Sequence, residues 1–281
     1  MGDRSARVPG SASWRGAARG ESSTRTGRPP PGAGRCGQNR RVPALSLTLV
    51  RNATLLLELD GRRVLVDPML DDVGARPPVE DTPDPRRNPL VPLPRPAAEL
   101  VRGLDAVVVT HLHRDHFDGA AERLLPRDVA LFCQPGDATR LEELGFAPRP
   151  VADVLDWRGL RIARTDGRHG HGALADALGP VSGFVLGELY VAGDTVWCTE
   201  VEGAIARHRP RVAVVNGSAA RFHEGGPLVM TTDDVREVAA RVPTVVVVHL
   251  EAMNHCVDTR ADVRARVPGA LVPEDGETLV L

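Results

Sequence analysis

Short apolar runs alternate with polar segments along residues 44–281, and most of the runs have the length of a β-strand. Residues 45–70, LSLTLVRNATLLLELDGRRVLVDPML, contain consecutive strands, with Asp60 and Gly61 supplying the turn signal of a β-hairpin. Further strands are predicted at residues 104–110, 128–134, 159–165, 181–194 (two strands), 211–216, 243–248 and 277–281. The apolar pattern is therefore that of a β-rich protein.

Helical patterns occur between the later strands, near residues 118–125, 137–146, 199–208, 231–242 and 259–266. Thr232 or Asp233 is the expected N-cap of the fourth of these helices. Residues 71–98 are rich in Pro, Asp and Arg, which predicts a long loop of the kind that often borders a functional site. This order favours an α/β protein with two β-rich layers flanked by helices over one doubly wound parallel sheet.

The first 43 residues differ in composition from the rest, since they are rich in Gly, Ser, Pro and Arg and have no apolar period. Such a segment cannot bury enough surface to offset its chain entropy. We therefore expect a disordered tail at 1–43 and one folded domain at 44–281. A transit peptide and a translation start placed too far upstream are alternative interpretations of the same segment.

Charge and cysteine content exclude several classes of protein. Residues 1–43 hold nine arginines against Asp3 and Glu21, and the rest of the chain carries 26 basic and 35 acidic residues. A body with a net charge of −9 gives no reason to expect a nucleic-acid partner. The four cysteines form no CxxC pair, which argues against a disulfide framework. Without an apolar signal or membrane-spanning stretch, the expected location is the cytoplasm.

The segment THLHRDHFDG, at residues 110–119, carries the most distinctive chemistry. His111 and His113 are two residues apart after a predicted strand, so both imidazoles can point the same way and hold one ion. Asp115 and His116 follow where the chain turns and can face a second ion. Burying three histidines and an aspartate so close together would be costly without a metal. The segment therefore predicts a metal site.

This segment resembles the HxHxDH motif of the metallo-β-lactamase superfamily. The stretches DGRHG, GPVSGFV, AGDTVW and HLEAMNHC are similar to bacterial members of the L-ascorbate-6-phosphate lactonase and phospholipase-D-like subgroup. The resemblance implies an α/β fold, the four-layer αββα sandwich. It also implies a full set of metal ligands: His111, His113, Asp115, His116, His169, Asp194 and His249.

In such a site one ion would be held by His111, His113 and His169, and the other by Asp115, His116 and His249. Asp194 and a metal-bridging hydroxide would lie between the ions. His171 is an alternative to His169, because each precedes a glycine, and we favour His169. Asp67 is interpreted either as a turn residue or as a partner that accepts the ring N–H of a ligand histidine.

The function implied is that of a dinuclear hydrolase acting on a small-molecule ester, lactone or phosphoester. Its cofactors would be two divalent ions, zinc first, with manganese or iron as alternatives. The predicted catalytic residues are Asp115, Asp194 and His255, the last as a proton donor or a substrate contact. The sequence leaves room for a homo-oligomer. The competing hypothesis is an iron-dependent oxidoreductase on the same fold, similar to a sulfur dioxygenase, which metal content and oxygen uptake would separate.

Overall fold

A computed structural model describes residues 45–82 and 84–281, so the tail predicted at 1–43 lies outside the described residues. The described chain forms two mixed β-sheets with helices on their outer faces, which confirms the predicted αββα arrangement. No helix in the described part of the chain is long and apolar enough to cross a membrane.

The first sheet has seven strands in the order β13-β1-β2-β3-β4-β5-β6. They are β1 (Leu45–Arg51), β2 (Thr54–Leu59), β3 (Arg62–Val66), β4 (Ala106–Val109), β5 (Ala130–Cys133), β6 (Pro148–Pro150) and β13 (Thr278–Val280). The predicted hairpin joins β2 to β3, with Asp60 and Gly61 at φ 51° and 74°. Strands β3 to β6 are parallel, so their carboxyl ends share one edge of the sheet.

The second sheet has six strands in the order β12-β11-β10-β9-β8-β7. They are β7 (Val154–Trp157), β8 (Leu160–Asp166), β9 (Ser182–Leu186), β10 (Leu189–Val191), β11 (Val212–Asn216) and β12 (Thr244–Val248). Strands β10, β11 and β12 are parallel, and the other pairs are antiparallel. The short strands β6 and β7 were not predicted from the sequence.

Helices cover both outer faces of the pair of sheets. They are α1 (Ala97–Leu100), α2 (Gly119–Leu124), α3 (Ala138–Glu143), α4 (Ala173–Leu178), α5 (Thr199–His208), α6 (Thr232–Ala239) and α7 (Arg260–Arg266). Buried residues of α1, α2 and α3 pack with the first sheet, and those of α5, α6 and α7 pack with the second. Helix α4 contributes no buried residue and was not predicted.

The N-cap of α6 is Thr231, so the prediction of Thr232 or Asp233 was wrong. The Thr231 hydroxyl accepts from the backbone N–H of Asp234, and the Asp234 carboxylate accepts from that of Thr231. This reciprocal capping box requires an acidic residue three positions after the cap, which only Thr231 has in this arrangement. Thr232 therefore becomes the first residue of the helix.

The interior between the two sheets is the main apolar core, and Phe184 of β9 lies fully buried within it. We expect Phe184→Ala to lower the free energy of unfolding by about 3–5 kcal/mol, since it removes a large side chain and leaves a cavity. Val280→Ala is the matched control, because Val280 is 87% exposed. Urea unfolding followed by circular dichroism measures both, and equal midpoints for the two variants would contradict this placement of the core.

Candidate metal centre

Polar side chains gather where the strands of both sheets end. Asp67 follows β3, and residues 110–116 follow β4. From the second sheet, residues 167–169 follow β8, residues 192–194 follow β10, and His249 follows β12 directly. The two sheets thus bring distant parts of the chain to one edge of the sandwich.

Seven of these side chains form two groups whose potential ligand atoms lie within 4.8 Å of one another inside each group. The three-histidine group consists of His111, His113 and His169. The carboxylate group consists of Asp115, His116, Asp194 and His249. All seven are buried except the half-buried His113. The structure therefore brings together every residue of the predicted ligand set.

Asp194 lies between the two groups. Its Oδ1 is 3.2 Å from His116 Nε2 and 3.7 Å from His249 Nε2, whereas its Oδ2 is 3.5 Å from His169 Nε2. The side-chain amide of Asn216 donates to Oδ1 at 2.5 Å and so fixes the carboxylate plane. One oxygen therefore faces each group, which is the arrangement that a bridging ligand requires.

Each of the five histidines has one ring nitrogen paired with a group outside the centre. The pairs are His111 Nδ1 with Thr110 Oγ1 (3.1 Å), His113 Nε2 with the Leu178 carbonyl (3.2 Å), His116 Nδ1 with Asp67 Oδ2 (2.8 Å), His169 Nδ1 with the Leu228 carbonyl (3.0 Å) and His249 Nδ1 with Ser218 Oγ (3.3 Å). Such outer contacts set the orientation of a metal-binding imidazole and leave its second nitrogen free.

Asp67 organises two of these histidines at once. Its carboxylate accepts from the backbone N–H and the hydroxyl of Thr110, each at 2.8 Å, and it contacts His116 directly. Since the Thr110 hydroxyl also contacts His111, Asp67 reaches both imidazoles. Asp67 and His249 have φ of 45° and 62°, a strained conformation that packed surroundings must maintain. The structure thus favours the partner interpretation of Asp67 over that of a simple turn residue.

The carboxylates determine the charge of the centre. Burial alone would lower the pKa of His116, but Asp194, Asp67 and Asp115 raise it to about 10. Burial would also raise the pKa of Asp194, yet the facing imidazoles of His116 and His249 hold it well below its usual range. The buried carboxylates therefore require positive charge beside them.

These residues fit divalent metal ions. Imidazole nitrogens and carboxylate oxygens are the donors that zinc takes in proteins. His111 Nε2 and His116 Nε2 are buried without a hydrogen-bond partner, as expected for nitrogens reserved for a metal. Bound metal cations would also compensate the negative charge of the buried carboxylates. Without them, that charge is balanced by protons on the histidines.

His255 lies beside the carboxylate group without belonging to the set of seven. Its Nε2 is 3.7 Å from Asp115 Oδ2, and its Nδ1 is buried without a hydrogen-bond partner. Burial lowers the pKa of His255 to about 4, so the imidazole is neutral near pH 7. The neighbouring Glu251 instead pairs with Arg260, away from the centre. His255 can therefore offer a hydrogen bond to a molecule at the site.

A cavity of about 730 Å³ opens directly onto the centre, and His113, Asp115, His169, Asp194 and His255 form part of its wall. Most of the remaining wall is apolar and includes Val79, Leu112, Leu178, Phe222, Leu228 and Met253. The predicted loop at 71–98 contributes Val79 and its neighbours, which agrees with the expectation that it borders a site. The volume suits a small molecule.

The structure distinguishes His169 from His171, the two histidines that were alternatives for one position in the predicted ligand set. His169 is buried with the three-histidine group, while His171 is exposed and belongs to neither group. Sequence reasoning missed Leu178, Phe222 and Met253, because apolar residues in loops and in an unpredicted helix carry no periodic signal. Their role in the wall follows only from the packing.

Comparison with known proteins identifies relatives along most of the chain. The family model described as "Beta-lactamase superfamily domain" matches residues 62–250. The UPF0173 protein YddR of Bacillus subtilis is 36% identical over 252 residues, which cover 83% of this chain and 99% of that protein.

Two solved structures are also similar. One is an isothiocyanate hydrolase from Delia radicum gut bacteria, with 36% sequence identity, a TM-score of 0.79, and coverage of 84% of this chain and 99% of that one. The other is described as a possible metal-dependent hydrolase from Veillonella parvula, with 32% identity, a TM-score of 0.80, and coverage of 85% and 100%.

Proposed function

Because the chain belongs to the beta-lactamase superfamily and is a metal-dependent hydrolase, we propose that it uses two metal ions to hydrolyse a small uncharged ester, lactone or isothiocyanate. The observation that carries this proposal is the position of Asp194 between two groups of ligand side chains at the wall of an apolar cavity. Water activated there would meet a substrate whose apolar part occupies the rest of the cavity.

In this proposal the three-histidine group would hold one ion and the carboxylate group would hold the other, and Asp194 would contribute to both. Zinc is the first candidate on its preference for these donors, and manganese or iron would be accepted by the same residues. Two ions held this way would lower the pKa of a water molecule between them and stabilise negative charge on the substrate.

The protein's own residues orient the reaction. Asp115 Oδ2 lies 3.2 Å from His249 Nε2 and 3.7 Å from His255 Nε2, so it connects the ligand set to the cavity wall. We assign Asp115 to holding a metal and receiving a proton, and Asp194 to keeping the two ions together. His255 lines the cavity and is assigned to hydrogen-bond the substrate or its leaving group.

The apolar wall of the cavity, and not the arginines beside it, supports a substrate with an uncharged body. Arg76 and Arg123 both face Asp71, at 3.3 and 3.8 Å, and Arg114 pairs with Glu122 at 3.0 Å. Three arginines thus face two carboxylates, and Nε and Nη2 of Arg76 are buried without a hydrogen-bond partner, so the arginines give no argument against an anionic substrate. We place the ester and lactone branches of the sequence prediction ahead of the phosphoester branch on the apolar wall alone, and phosphodiesters stay in the substrate panel.

The solved relative named as an isothiocyanate hydrolase adds one more class to test. An isothiocyanate is uncharged, has an electrophilic carbon, and carries its apolar substituent on nitrogen. Water adds to that carbon as it adds to the carbonyl carbon of an ester. A small isothiocyanate is therefore also compatible with the apolar wall of the cavity.

The test is a substrate panel on metal-loaded and metal-stripped protein. Alkyl and aryl isothiocyanates, short esters and lactones should be turned over, and phosphodiesters with the same apolar group should be poor substrates. A chelator should abolish activity, and Zn or Mn should restore it, with close to two ions per chain by mass spectrometry. Preferential turnover of the phosphodiesters would overturn the choice of substrate class.

The competing iron oxidoreductase makes a different prediction for the same protein. A single iron per chain after mild purification, together with oxygen uptake on sulfur substrates, would replace the hydrolase proposal. Measuring metal content and oxygen consumption on the protein as isolated therefore decides between the two reaction classes.

A further inference from the structure

The outer partners of the five histidines differ in how firmly they are held. Thr110, Asp67, Leu228 and Ser218 are all buried, with at most 3% of their surface exposed. The partner of His113 is the carbonyl of Leu178, the last residue of α4. His113 is also the one half-buried member of the set of seven. One ligand of the three-histidine group is therefore oriented by a surface element.

Helix α4 is weakly anchored to the rest of the fold. None of its six residues is buried. The glycines on either side, Gly172 and Gly179, have φ of 54° and 85°, where glycine alone is unstrained. Another cavity, of about 490 Å³, is lined in part by Gly172, Ala175, Asp176 and Gly179, so α4 has open space on that side as well. Little packing therefore holds α4 in one position.

Leu178 also lines the main cavity. The same residue thus contacts the space for substrate and orients His113. We propose that α4 is a positioning element in which Leu178 couples substrate binding to the ion of the three-histidine group. This inference rests on the proposed two-metal function.

The coupling between substrate binding and metal binding acts in both directions. A substrate that packs against the Leu178 side chain restrains α4, which keeps the Leu178 carbonyl on His113 and leaves the other ring nitrogen aimed at the metal. By linkage, the ion in turn strengthens substrate binding by the same factor. The ion of the three-histidine group is the more weakly held of the two, because the partners of the other group do not depend on α4.

The test displaces the Leu178 carbonyl without altering any of the candidate metal ligands. At Gly179 an added Cβ meets no atom within 4 Å, so Gly179→Ala acts through backbone strain alone. Gly145→Ala is the matched control, since Gly145 follows the six-residue helix α3 with φ 82° and the same open space. Leu178→Ala keeps the carbonyl and removes the side chain. Metal affinity is measured by chelator competition on stripped protein, and folding by circular dichroism.

We expect Gly179→Ala to weaken one of the two ions by about 10-fold or more, the effect of losing the outer partner of a ligand histidine. Gly145→Ala should bind both ions as the wild type does. Leu178→Ala should also bind both ions normally but show a raised KM with little change in kcat.

The inference would be overturned if folded Gly179→Ala bound both ions with wild-type affinity. It would also be overturned if Gly145→Ala lost as much metal affinity as Gly179→Ala, or if Gly179→Ala bound both ions equally weakly. These results leave the proposed function standing. Wild-type protein that retains no ion, by contrast, would refute the proposed function and the inference together.

Discussion

Asp194→Ala is expected to lose turnover and to retain fewer metal ions than the wild type. Asp194 places one oxygen toward each group of ligands, so its removal takes a donor from both positions at once. The loss in kcat/KM should exceed about 100-fold, the upper end of the effect of removing a mere outer partner of a ligand. Metal content per chain and kcat/KM are measured on the same preparation.

The matched control is Asp153→Ala, because Asp153 is an exposed carboxylate that pairs with the exposed Arg207. Asp194→Asn adds a finer comparison, since the amide keeps the shape and one oxygen donor but removes the charge. It should retain more metal than the alanine variant. Wild-type kinetics and two ions per chain in Asp194→Ala would refute the role of Asp194 between the groups.

His169→Ala and His171→Ala should behave oppositely. Without His169 the three-histidine group keeps two of its members, so one ion should be lost or weakened and kcat/KM should fall by about 100-fold or more. His171 is exposed and touches neither group, so its replacement should leave metal content and turnover unchanged. The two variants differ by two positions in the same loop, which makes each the control of the other.

The measurement is metal content by mass spectrometry together with steady-state kinetics on the substrate found in the panel. A loss of metal in His171→Ala but not in His169→Ala would show that the loop takes another arrangement when metal is bound. Equal loss in both variants would indicate that the loop as a whole, and not one imidazole, supports the site.

Several features of the fold were predictable because they depend on neighbouring residues. The apolar runs and the turn at Asp60 and Gly61 reflect local backbone preferences, and the structure confirms them. The helix predicted at 199–208 occurs as α5 with those bounds. The edge strands β6 and β7 were missed because β6 holds two prolines in three residues and neither strand has a clear apolar period.

The candidate site also has some features that the sequence predicts and others that it does not. The spacing of His111, His113, Asp115 and His116 within one motif was readable, because six consecutive residues after a strand fix their relative directions. The order of the later ligands came from the family resemblance. No local pattern could show that Asp67 reaches both His116 and Thr110, since the contact joins strands that become neighbours only in the folded sheet.

Strand periodicity in the sequence by itself therefore indicated the β-rich layers, and motif spacing indicated a metal site at residues 111–116, because both act over a few residues. The family and the later candidate ligands followed from the resemblance of the motifs. The tertiary structure alone decided the placement of His169 rather than His171 with the other ligands, the outer partner of each histidine, and the apolar wall of the cavity. The contact of His113 with Leu178 spans 65 positions, and such contacts depend on how loops from two sheets meet at one edge.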